Sequence, residues 1–288
     1  MFFDLNVPAF KQSDDQGQQD WLRFEERSLS LGWGCVAVST RYRGESLKRP
    51  SAETSSSGAR ESDLRFFHPG KRVVKERGRL LKLSRVNLSA SQMEENMSLI
   101  PKCRKLYDLI SCEPTSEETF RKICTLVDCD IISIDFSLPL PFRMHPGHVS
   151  AALKRGLVFE ISYSKLLQDE TTRRNAFSGA RSLCRCTRGK GVIISSGTKH
   201  HLDLRSPWDI ANIATLFDLK GSQAKQCLER TCRALVDRVV RNKFFQRGFS
   251  LQEGENEQGD DEDDNDEDAG VGVEEKKKDV YGKKRQKI

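Results

Sequence analysis

Short apolar runs of strand length recur along the chain. Segments with apolar residues at helical spacing separate several of these runs, and the first such segment is Gln18–Leu31. Seven runs fit strands: Phe2–Val7, Cys35–Ser39, Leu80–Leu88, Leu106–Ser111, Asp130–Phe136, Leu157–Tyr163 and Val192–Ser196. Parallel neighbours need crossover connections, so this alternation predicts an α/β fold with a parallel sheet. A TIM-barrel-like fold, an imperfect barrel of βα repeats, fits best, and an open doubly wound sheet is the alternative.

Helix starts are marked by residues whose side chains accept hydrogen bonds from backbone amides. Thr115 and Glu118 are spaced as a capping box. Asp169 can cap a helix that runs to about Arg185, and Ser206 precedes a proline at a first helical position. We therefore expect three of the crossover helices to begin at these residues.

Two segments depart from the alternation: one is an insertion within the barrel domain, which we place at residues 1–248, and the other follows that domain. Residues 41–79 are rich in Ser, Gly and charge, which predicts a disordered surface insertion. Residues 249–288 carry an acidic run followed by basic clusters and predict a disordered charged tail. Its cations form a candidate nuclear-import signal, with a merely solvated tail as the alternative: Lys276, Lys277, Lys278, Lys283, Lys284 and Arg285.

The formal net charge of +6 conceals a strongly basic body. Residues 251–288 hold 14 acids and 7 bases, a net charge of −7, so the other 250 residues carry +13. Such a body attracts polyanions in a salt-dependent way, although charge alone does not separate RNA from DNA or an acidic lipid surface.

Cysteine and histidine usage gives little support to metal chemistry. The nine cysteines include no C-x-x-C pair, and we expect reduced, buried thiols. The sequence has five histidines, and the pair His145 and His148 beside proline is more typical of a loop surface than of a metal site. No dinucleotide or phosphate-binding glycine motif is present. The start of the chain has no basic region before an apolar core, and no run approaches ~18 apolar residues, so we expect neither secretion nor a membrane span.

Two carboxylates lie within predicted strands. Glu160 interrupts the otherwise apolar run LVFEISY, and Asp135 occupies the preceding strand. A buried charge without a partner is costly, so Glu160 needs a cation if it points into the barrel. A structural ion pair with Arg or Lys is favoured over a catalytic pair of carboxylates.

The cations near helix ends divide into two groups. Those near a helix C-terminus are stabilised by the macrodipole and have a structural explanation: Lys154, Arg155, Arg185, Arg188, Arg238 and Arg241. Cations near a helix start oppose the dipole. They are Arg173, Arg174, Arg205 and Lys225, the last of which follows a predicted cap at Ser222. Helix starts of a βα barrel lie at the carboxyl ends of the strands, so Arg173, Arg174 and Arg205 are expected to gather on one rim, where a phosphate-rich partner is the simplest explanation.

Seven stretches, in order and with their spacing, resemble the thirty-kilodalton-class protein subunit of ribonuclease P and ribonuclease MRP, in a plant-like eukaryotic form. They are FFDLN at 2–6, GWGCVAV at 32–38, CDIISIDFSLPLPF at 129–142, AALKRGLVFEISYS at 151–164, TRRNAFSGA at 172–180, RGKGVIISSG at 188–197 and RSPWDIANIATLFDL at 205–219. The resemblance runs through Arg241. It implies a TIM-like barrel.

The resemblance also implies a function: an RNA-binding, non-catalytic subunit of an RNA-based endoribonuclease that removes the 5′ leader of precursor tRNA or processes rRNA. Its implied partners are the ribonuclease P/MRP RNA, another small protein subunit and, indirectly, precursor tRNA, in the nucleus and nucleolus and not at a membrane. The chain would bind no cofactor or metal, because Mg²⁺ and catalytic RNA belong to the particle. By position and by the helix-start argument, the RNA-contact candidates are Arg173, Arg174, Lys190, Arg205, Lys154 and Arg155. A metal-dependent phosphoesterase on the same barrel and a nuclear interaction scaffold are the alternatives.

Overall fold

The computed structural model describes residues 1–10, 15–42, 44, 80–89, 98–198 and 200–255. Nearly all of the predicted insertion at 41–79 and the part of the predicted tail beyond residue 255, with its candidate import signal, lie outside these residues. The chain divides into a compact unit, Met1–Gln246, and a second unit, Arg247–Ile288. No helix among the described residues is long and apolar enough to span a membrane.

Seven parallel strands form one sheet whose spatial order follows the sequence. They are β1 (Phe2–Pro8), β2 (Trp33–Arg41), β3 (Leu81–Ser89), β4 (Leu109–Glu113), β5 (Ile131–Ser133), β6 (Val158–Ser162) and β7 (Val192–Ser195). Each strand pairs in parallel with the next. A doubly wound sheet reverses its strand order at a switch point, and this sheet does not. The TIM-barrel-like prediction is therefore confirmed.

The barrel nearly closes between its first and last strands. The Gly197 amide donates to the Asn6 carbonyl at 2.9 Å. The Ser196 amide donates to Oδ1 of Asp4, also at 2.9 Å. These two contacts stand where a ladder of strand hydrogen bonds would complete the barrel.

Eight α-helices and two 3₁₀ helices connect or follow the strands in the described part of the chain. The α-helices are α1 (Asp15–Leu31), α2 (Leu99–Leu106), α3 (Glu117–Thr125), α4 (Pro146–Lys154), α5 (Glu170–Thr187), α6 (Pro207–Thr215), α7 (Gly221–Leu228) and α8 (Arg230–Glu255). The 3₁₀ helices are Tyr163–Leu167 and His201–Asp203. Helix α8 continues seven residues into the segment predicted as a disordered tail.

The caps at Asp169 and Ser206 are confirmed. The Asp169 carboxylate accepts from the Thr172 amide at 3.0 Å, and the Ser206 hydroxyl accepts from the Asp209 amide at 3.2 Å. Strand β5, however, is shorter than the predicted 130–136.

Two other predicted caps are wrong by one or two residues. Ser116, not Thr115, caps α3, because its hydroxyl accepts from the Thr119 amide while Thr119 Oγ1 accepts from the Ser116 amide. Lys220, not Ser222, stands at the cap position of α7, where its amide donates to Gln223 at 3.0 Å. Ser116 thus takes over the role predicted for Thr115, whereas at α7 the cap residue makes no side-chain capping bond and Gln223 accepts from its amide.

The segment predicted as a strand at 106–111 is also shifted. Leu106 ends α2, and strand β4 begins only at Leu109. The apolar run thus belongs partly to a helix end and partly to a strand, and a short apolar run does not distinguish the two.

The apolar core has an inner and an outer layer. Inside the barrel, strand residues such as Phe3, Leu109 and Ile193 pack against Leu235 and Val236 of α8. Helix α8 lies across the amino ends of β4 to β6, because residues of α8 pair with Asp108 and Asp130 just before β4 and β5 and with Gly156 near the start of β6. The amino end of the barrel is therefore covered by α8.

All nine cysteines are free thiols, and eight of them are buried in these layers. This agrees with the prediction of reduced, buried side chains, in which Cys acts as a small apolar residue.

Candidate RNA-binding surface

A buried ion pair occupies the middle of the barrel. The guanidinium of Arg85 binds both oxygens of Glu160, each at 2.6 Å, and both side chains are fully buried. Arg85 also donates to the Leu5 carbonyl at 2.7 Å, and Glu160 accepts from the Ser195 hydroxyl at 2.8 Å. Burial by itself raises the pKa of Glu160, but the charge and hydrogen bonds of Arg85, together with the hydrogen bonds of Ser133 and Ser195, hold that pKa below its usual value. The prediction of a structural ion pair is confirmed.

Asp135 does not share this interior site with Glu160. It lies exposed after β5, where it accepts from the Ser137 amide at 2.9 Å and pairs with Lys165 at 3.6 Å. The two carboxylates therefore have different partners.

A polar cleft of about 440 Å³ opens above the ion pair at the carboxyl ends of the strands. Its lining includes hydroxyl and amide side chains together with two cations, Arg41 and Lys165. Arg41 pairs with Glu113 at 3.0 Å, and Lys165 pairs with Asp135. Because each of these two cations has a carboxylate partner, the charges of the described residues in this cleft are balanced, and a polyanion gains little from them.

The candidates at the starts of α5 and α6 have local structural partners. Arg173 donates to the carbonyls of Leu166 and Gln168, both at 2.9 Å, and so ties α5 to the preceding 3₁₀ helix. Arg174 pairs with Glu170 at 2.5 Å. The guanidinium of Arg205 donates to the Leu202 carbonyl at 2.8 Å. These contacts offer a structural reason for cations that oppose a helix dipole.

The position of Arg205 differs from that of the arginines of α5. Its amide donates to the Tyr163 hydroxyl at 3.3 Å, and its carbonyl accepts from the indole of Trp33, the first residue of β2, at 3.1 Å. Arg205 is thus held against the outer layer of the barrel, between β6 and β2.

The remaining candidates lie at the amino end of the barrel, opposite Arg173 and Arg174. Lys154 and Arg155 end α4 just before β6, and Lys190 precedes β7. Arg155 donates to the carbonyls at the end of α3, whereas Lys154 and Lys190 are exposed. The structure thus distributes the predicted contacts over both ends of the barrel.

A basic groove of about 590 Å³ lies at this amino end, between α7, α8 and the loops before β6 and β7. Lys190 lines it together with Arg230, Arg238 and Arg241, and none of the lining residues that the structure describes is acidic. Gly156, at φ +81°, brings its carbonyl onto Arg238. Two of the four cations have a carboxylate nearby: Arg238 lies 3.6 Å from Asp130, and Arg241 interacts electrostatically with Asp237, one turn earlier on α8. The groove, which we call the basal groove, is therefore a concentrated cationic site.

Sequence reasoning missed the basal groove. It assigned Arg238 and Arg241 to a helix C-terminus, and this explanation is wrong because α8 continues to Glu255. The available signal was their spacing from Arg230: positions 230, 238 and 241 fall on one side of a helix.

The histidines noted in the sequence lie at the start of α4. His145 is exposed, and its Nε2 is 3.8 Å from a carboxylate oxygen of Glu117. Within the described ranges, no group of three or more His, Cys, Asp or Glu side chains is arranged to hold a metal ion.

These features place the chain among TIM-barrel-like α/β proteins that carry a cationic surface. It belongs to the family described as RNase P subunit p30, whose family model matches residues 1–243. The resemblance stated from the sequence is therefore confirmed.

Two relatives and one solved structure illustrate the similarity. "Probable ribonuclease P protein subunit 3" of Schizosaccharomyces pombe is 35% identical over 153 residues, which cover 53% of this chain and 65% of that protein. "Protein GAMETOPHYTE DEFECTIVE 1" of Arabidopsis thaliana is 38% identical over 143 residues, covering 50% of this chain and 25% of that protein. The matches therefore span less than two thirds of either relative. A chain in a cryo-EM structure of archaeal ribonuclease P with mature tRNA shares the fold, with a TM-score of 0.57, 16% identity and coverage of 82% of this chain and 90% of that one.

Proposed function

We propose that this chain is an RNA-binding protein subunit of ribonuclease P, and also of ribonuclease MRP, that supports RNA-catalysed removal of the 5′ leader from precursor tRNA and the processing of rRNA. The family match over residues 1–243 carries this proposal. The basal groove supports it, because four cations without an acid among the described lining residues suit an RNA backbone.

A supporting role without catalysis by the chain itself is part of the proposal. Glu160 is a fully buried carboxylate on a barrel strand, and the active sites of barrel enzymes lie at the carboxyl ends of such strands. Both of its oxygens are bound by Arg85, so it is not free to act as a metal ligand or a base. Mg²⁺ and catalytic RNA would belong to the particle.

The proposed partners are the ribonuclease P or MRP RNA and another small protein subunit, with precursor tRNA contacted indirectly. The nucleus, and within it the nucleolus, is the proposed location. The basic clusters of the C-terminal segment, beyond the described residues, are the candidate import signal.

Purification of the tagged chain from its own cells tests this function. The RNA in the eluate is sequenced, and the eluate is assayed on precursor tRNA with and without nuclease pretreatment. Enrichment of one structured RNA and cleavage that nuclease abolishes are expected. Absence of RNA would contradict the proposal, and cleavage that survives nuclease would favour a barrel phosphoesterase.

The basal groove gives a residue-level prediction. Replacement of Lys190, Arg230 and Arg241 by Gln removes three exposed cations. Each lost phosphate contact lowers the slope of log affinity against log salt by about 0.7–0.9, so the slope should fall by about 2. Fluorescence anisotropy with in vitro transcribed ribonuclease P RNA, repeated over a salt series, measures this slope.

A matched triple variant controls for the loss of net charge. Arg27→Gln, Lys102→Gln and Arg121→Gln change exposed cations on α1, α2 and α3. If these substitutions reduce the slope as much as the groove variant does, general attraction by the basic body explains binding and the groove has no special role.

A further inference from the structure

One exposed face of α5 carries three arginines, and a fourth stands at the end of the helix. Arg174, Arg181 and Arg185 follow one another at intervals of seven and four residues, and such positions share one face of a helix. They cover 11 residue steps, or ~16 Å along the helix axis. Arg188 follows three residues after Arg185 as the left-handed residue that caps the helix. We call these four residues the arginine stripe.

All four side chains of the stripe are arginines. A lysine is strongly hydrated and presents a point charge, whereas a guanidinium presents a rigid fork of donors that fits phosphate oxygens. The helix macrodipole accounts for Arg185 and Arg188 near the end of α5 but not for Arg181 in its interior. If these side chains served only to keep the helix surface hydrated, lysine would do so equally well.

Two arginines of the stripe converge on one carboxylate. Arg181 donates to Asp218 through Nη2 at 3.0 Å and through Nε at 3.3 Å. Arg185 donates to Oδ2 of the same residue through Nε at 2.9 Å. Two permanent positive charges thus share one negative charge, and in the described part of the chain the Nη1 groups of both arginines have no protein partner.

Asp218 is itself firmly placed. It follows α6 with a left-handed backbone, at φ +65°, and its amide donates to the Thr215 carbonyl at 3.2 Å. Its neighbours Phe217 and Leu219 are buried in the outer core layer. The hydrogen bonds from Arg181, followed by those from Arg185, hold the pKa of Asp218 below its usual value, so it remains a carboxylate at neutral pH.

We propose that Arg181 and Arg185, oriented by Asp218, form a clamp for a phosphate of an RNA backbone, and that the rest of the arginine stripe holds the adjacent phosphates. Asp218 is a positioning residue: it reduces the conformational freedom that the two long side chains would lose on binding. The donors that remain on both guanidiniums bind the phosphate oxygens.

The stripe also joins the two ends of the barrel. Arg174 lies near the carboxyl ends of the strands, and Arg188 is followed directly by Gly189 and Lys190, which line the basal groove. A single RNA strand or the edge of a duplex that enters the groove therefore has a continuous row of cations along α5. The clamp rests on the proposed RNA-binding function and assigns a site within it.

The test uses the full chain and in vitro transcribed ribonuclease P RNA, with binding followed by fluorescence anisotropy. Arg181→Lys with Arg185→Lys preserves the charge and removes both forks. The affinity should fall about three- to tenfold while the salt slope stays nearly constant, because the number of cations is unchanged. Circular dichroism should show an unaltered melting transition, since both side chains are exposed.

A matched pair on another helix serves as the control. Arg23 and Arg27 of α1 have the same four-residue spacing, are exposed, and Arg23 lies beside Asp20 at 3.8 Å. Arg23→Lys with Arg27→Lys should leave the affinity unchanged. Equal losses in the two double variants would overturn the clamp.

Asp218→Asn distinguishes positioning from simple neutralisation. Asparagine tolerates the left-handed backbone and retains one acceptor oxygen. If Asp218 positions the arginines, the affinity falls although the surface becomes more positive. A rise in affinity would show that Asp218 competes with RNA, and it would overturn the positioning role.

The outcomes separate the clamp from the function on which it rests. If the wild-type chain fails to bind the RNA, the proposed function fails and the clamp with it. If the wild type binds and both clamp variants bind equally well, only the clamp is overturned. Unchanged RNA affinity combined with loss of a co-purifying protein subunit would reassign the stripe to an acidic protein surface.

Discussion

Arg85 and Glu160 show how a single pair of residues organises the barrel interior. Below them, towards α8, the interior is apolar, and above them the described residues line a polar cleft. Their charges offset one another only while both are present, because a lone buried charge loses its hydration without compensation. The middle layer of the barrel is therefore stable only when both residues are present.

Removal of either partner alone should destabilise the chain strongly. Arg85→Met or Glu160→Leu leaves an unpaired buried charge, which costs about 3–5 kcal/mol. The double variant should lose much less than the sum of the two single losses. Urea unfolding followed by circular dichroism gives the coupling free energy.

The exposed pair Arg174 and Glu170 provides the comparison, since it has the same chemistry in water. A double-mutant cycle with Arg174→Ala and Glu170→Ala should give a coupling free energy of only about 0.3–0.5 kcal/mol. Additive losses at Arg85 and Glu160 would refute the role assigned to the buried pair.

At this scale the sequence predicted part of the site. Glu160 stood out because a carboxylate interrupted an apolar run. Its partner was not identified, although Leu83, Arg85 and Asn87 share the inward period of β3 and their alternation was a usable signal. Periodicity gives the face of a strand, but it does not say which residue of another strand lies opposite across a barrel.

Helix ends decide how the elements of this fold are joined. Arg155, at the end of α4, donates through Nη1 to the carbonyls of Ile123 and Cys124, each at 3.0 Å. Its Nη2 donates to the Val127 carbonyl at 2.6 Å. One side chain thus satisfies three carbonyls at and beyond the end of α3 and fastens two neighbouring helices.

Arg155→Met should therefore lower the free energy of unfolding, by about 2 kcal/mol, because charged hydrogen bonds are worth about 1.5–3 kcal/mol. Lys154→Met changes the adjacent exposed cation and should stay within about 0.5 kcal/mol of the wild type. Thermal and urea unfolding of both variants measure the difference. Equal stabilities would contradict a structural role for Arg155.

All seven strands were located from the sequence, because apolar runs bounded by polar residues are distinctive in a parallel sheet. Helix α2 was not predicted from the sequence, because it is only eight residues long and has no acidic residue in its first turn. The cap of α3 was predicted one residue too early, because Thr115 and Ser116 are adjacent hydroxyl residues. Each is followed three positions later by a side chain that could complete a capping box. Tertiary packing, rather than the local pattern, selects between them.

At the scale of the whole molecule, closure of the barrel depends on Asp4. One carboxylate oxygen accepts from the Ser196 amide across the seam, and within the described residues the other, Oδ2, is buried without a hydrogen-bond partner. Burial raises the pKa of Asp4 to about 6 against the opposing hydrogen bonds from Ser196 and Asn6. The fold therefore favours the protonated side chain.

The sign of the resulting pH dependence follows from this raised pKa. Below the unfolded value of 3.8 both states are protonated, and the folded state is not penalised. As the pH rises from 3.8 to about 6, the unfolded chain loses its proton first, and stability falls by an amount on the order of 3 kcal/mol.

Asp4→Asn should remove this loss. The difference in unfolding free energy between pH 4 and pH 7 should shrink relative to the wild type, whereas Asp209→Asn at an exposed position should leave it unchanged. Urea titrations at several pH values provide the measurement. An Asp4→Asn variant with the wild-type pH profile would show that Asp4 is ionised throughout.

The seam between β1 and β7 can form only late in the synthesis of the chain. Asp4 and Ser196 are separated by 192 residues, which take roughly 10–40 s to synthesise. During that interval one edge of the first strand has no neighbour, and an unpaired edge invites pairing with other chains. Strand β1 carries Asp4 and Asn6 and an irregular register between Asp4 and Val7. A charge and a break in strand regularity are devices that protect such edges, so the residues that complete the mature barrel also guard the nascent one against aggregation.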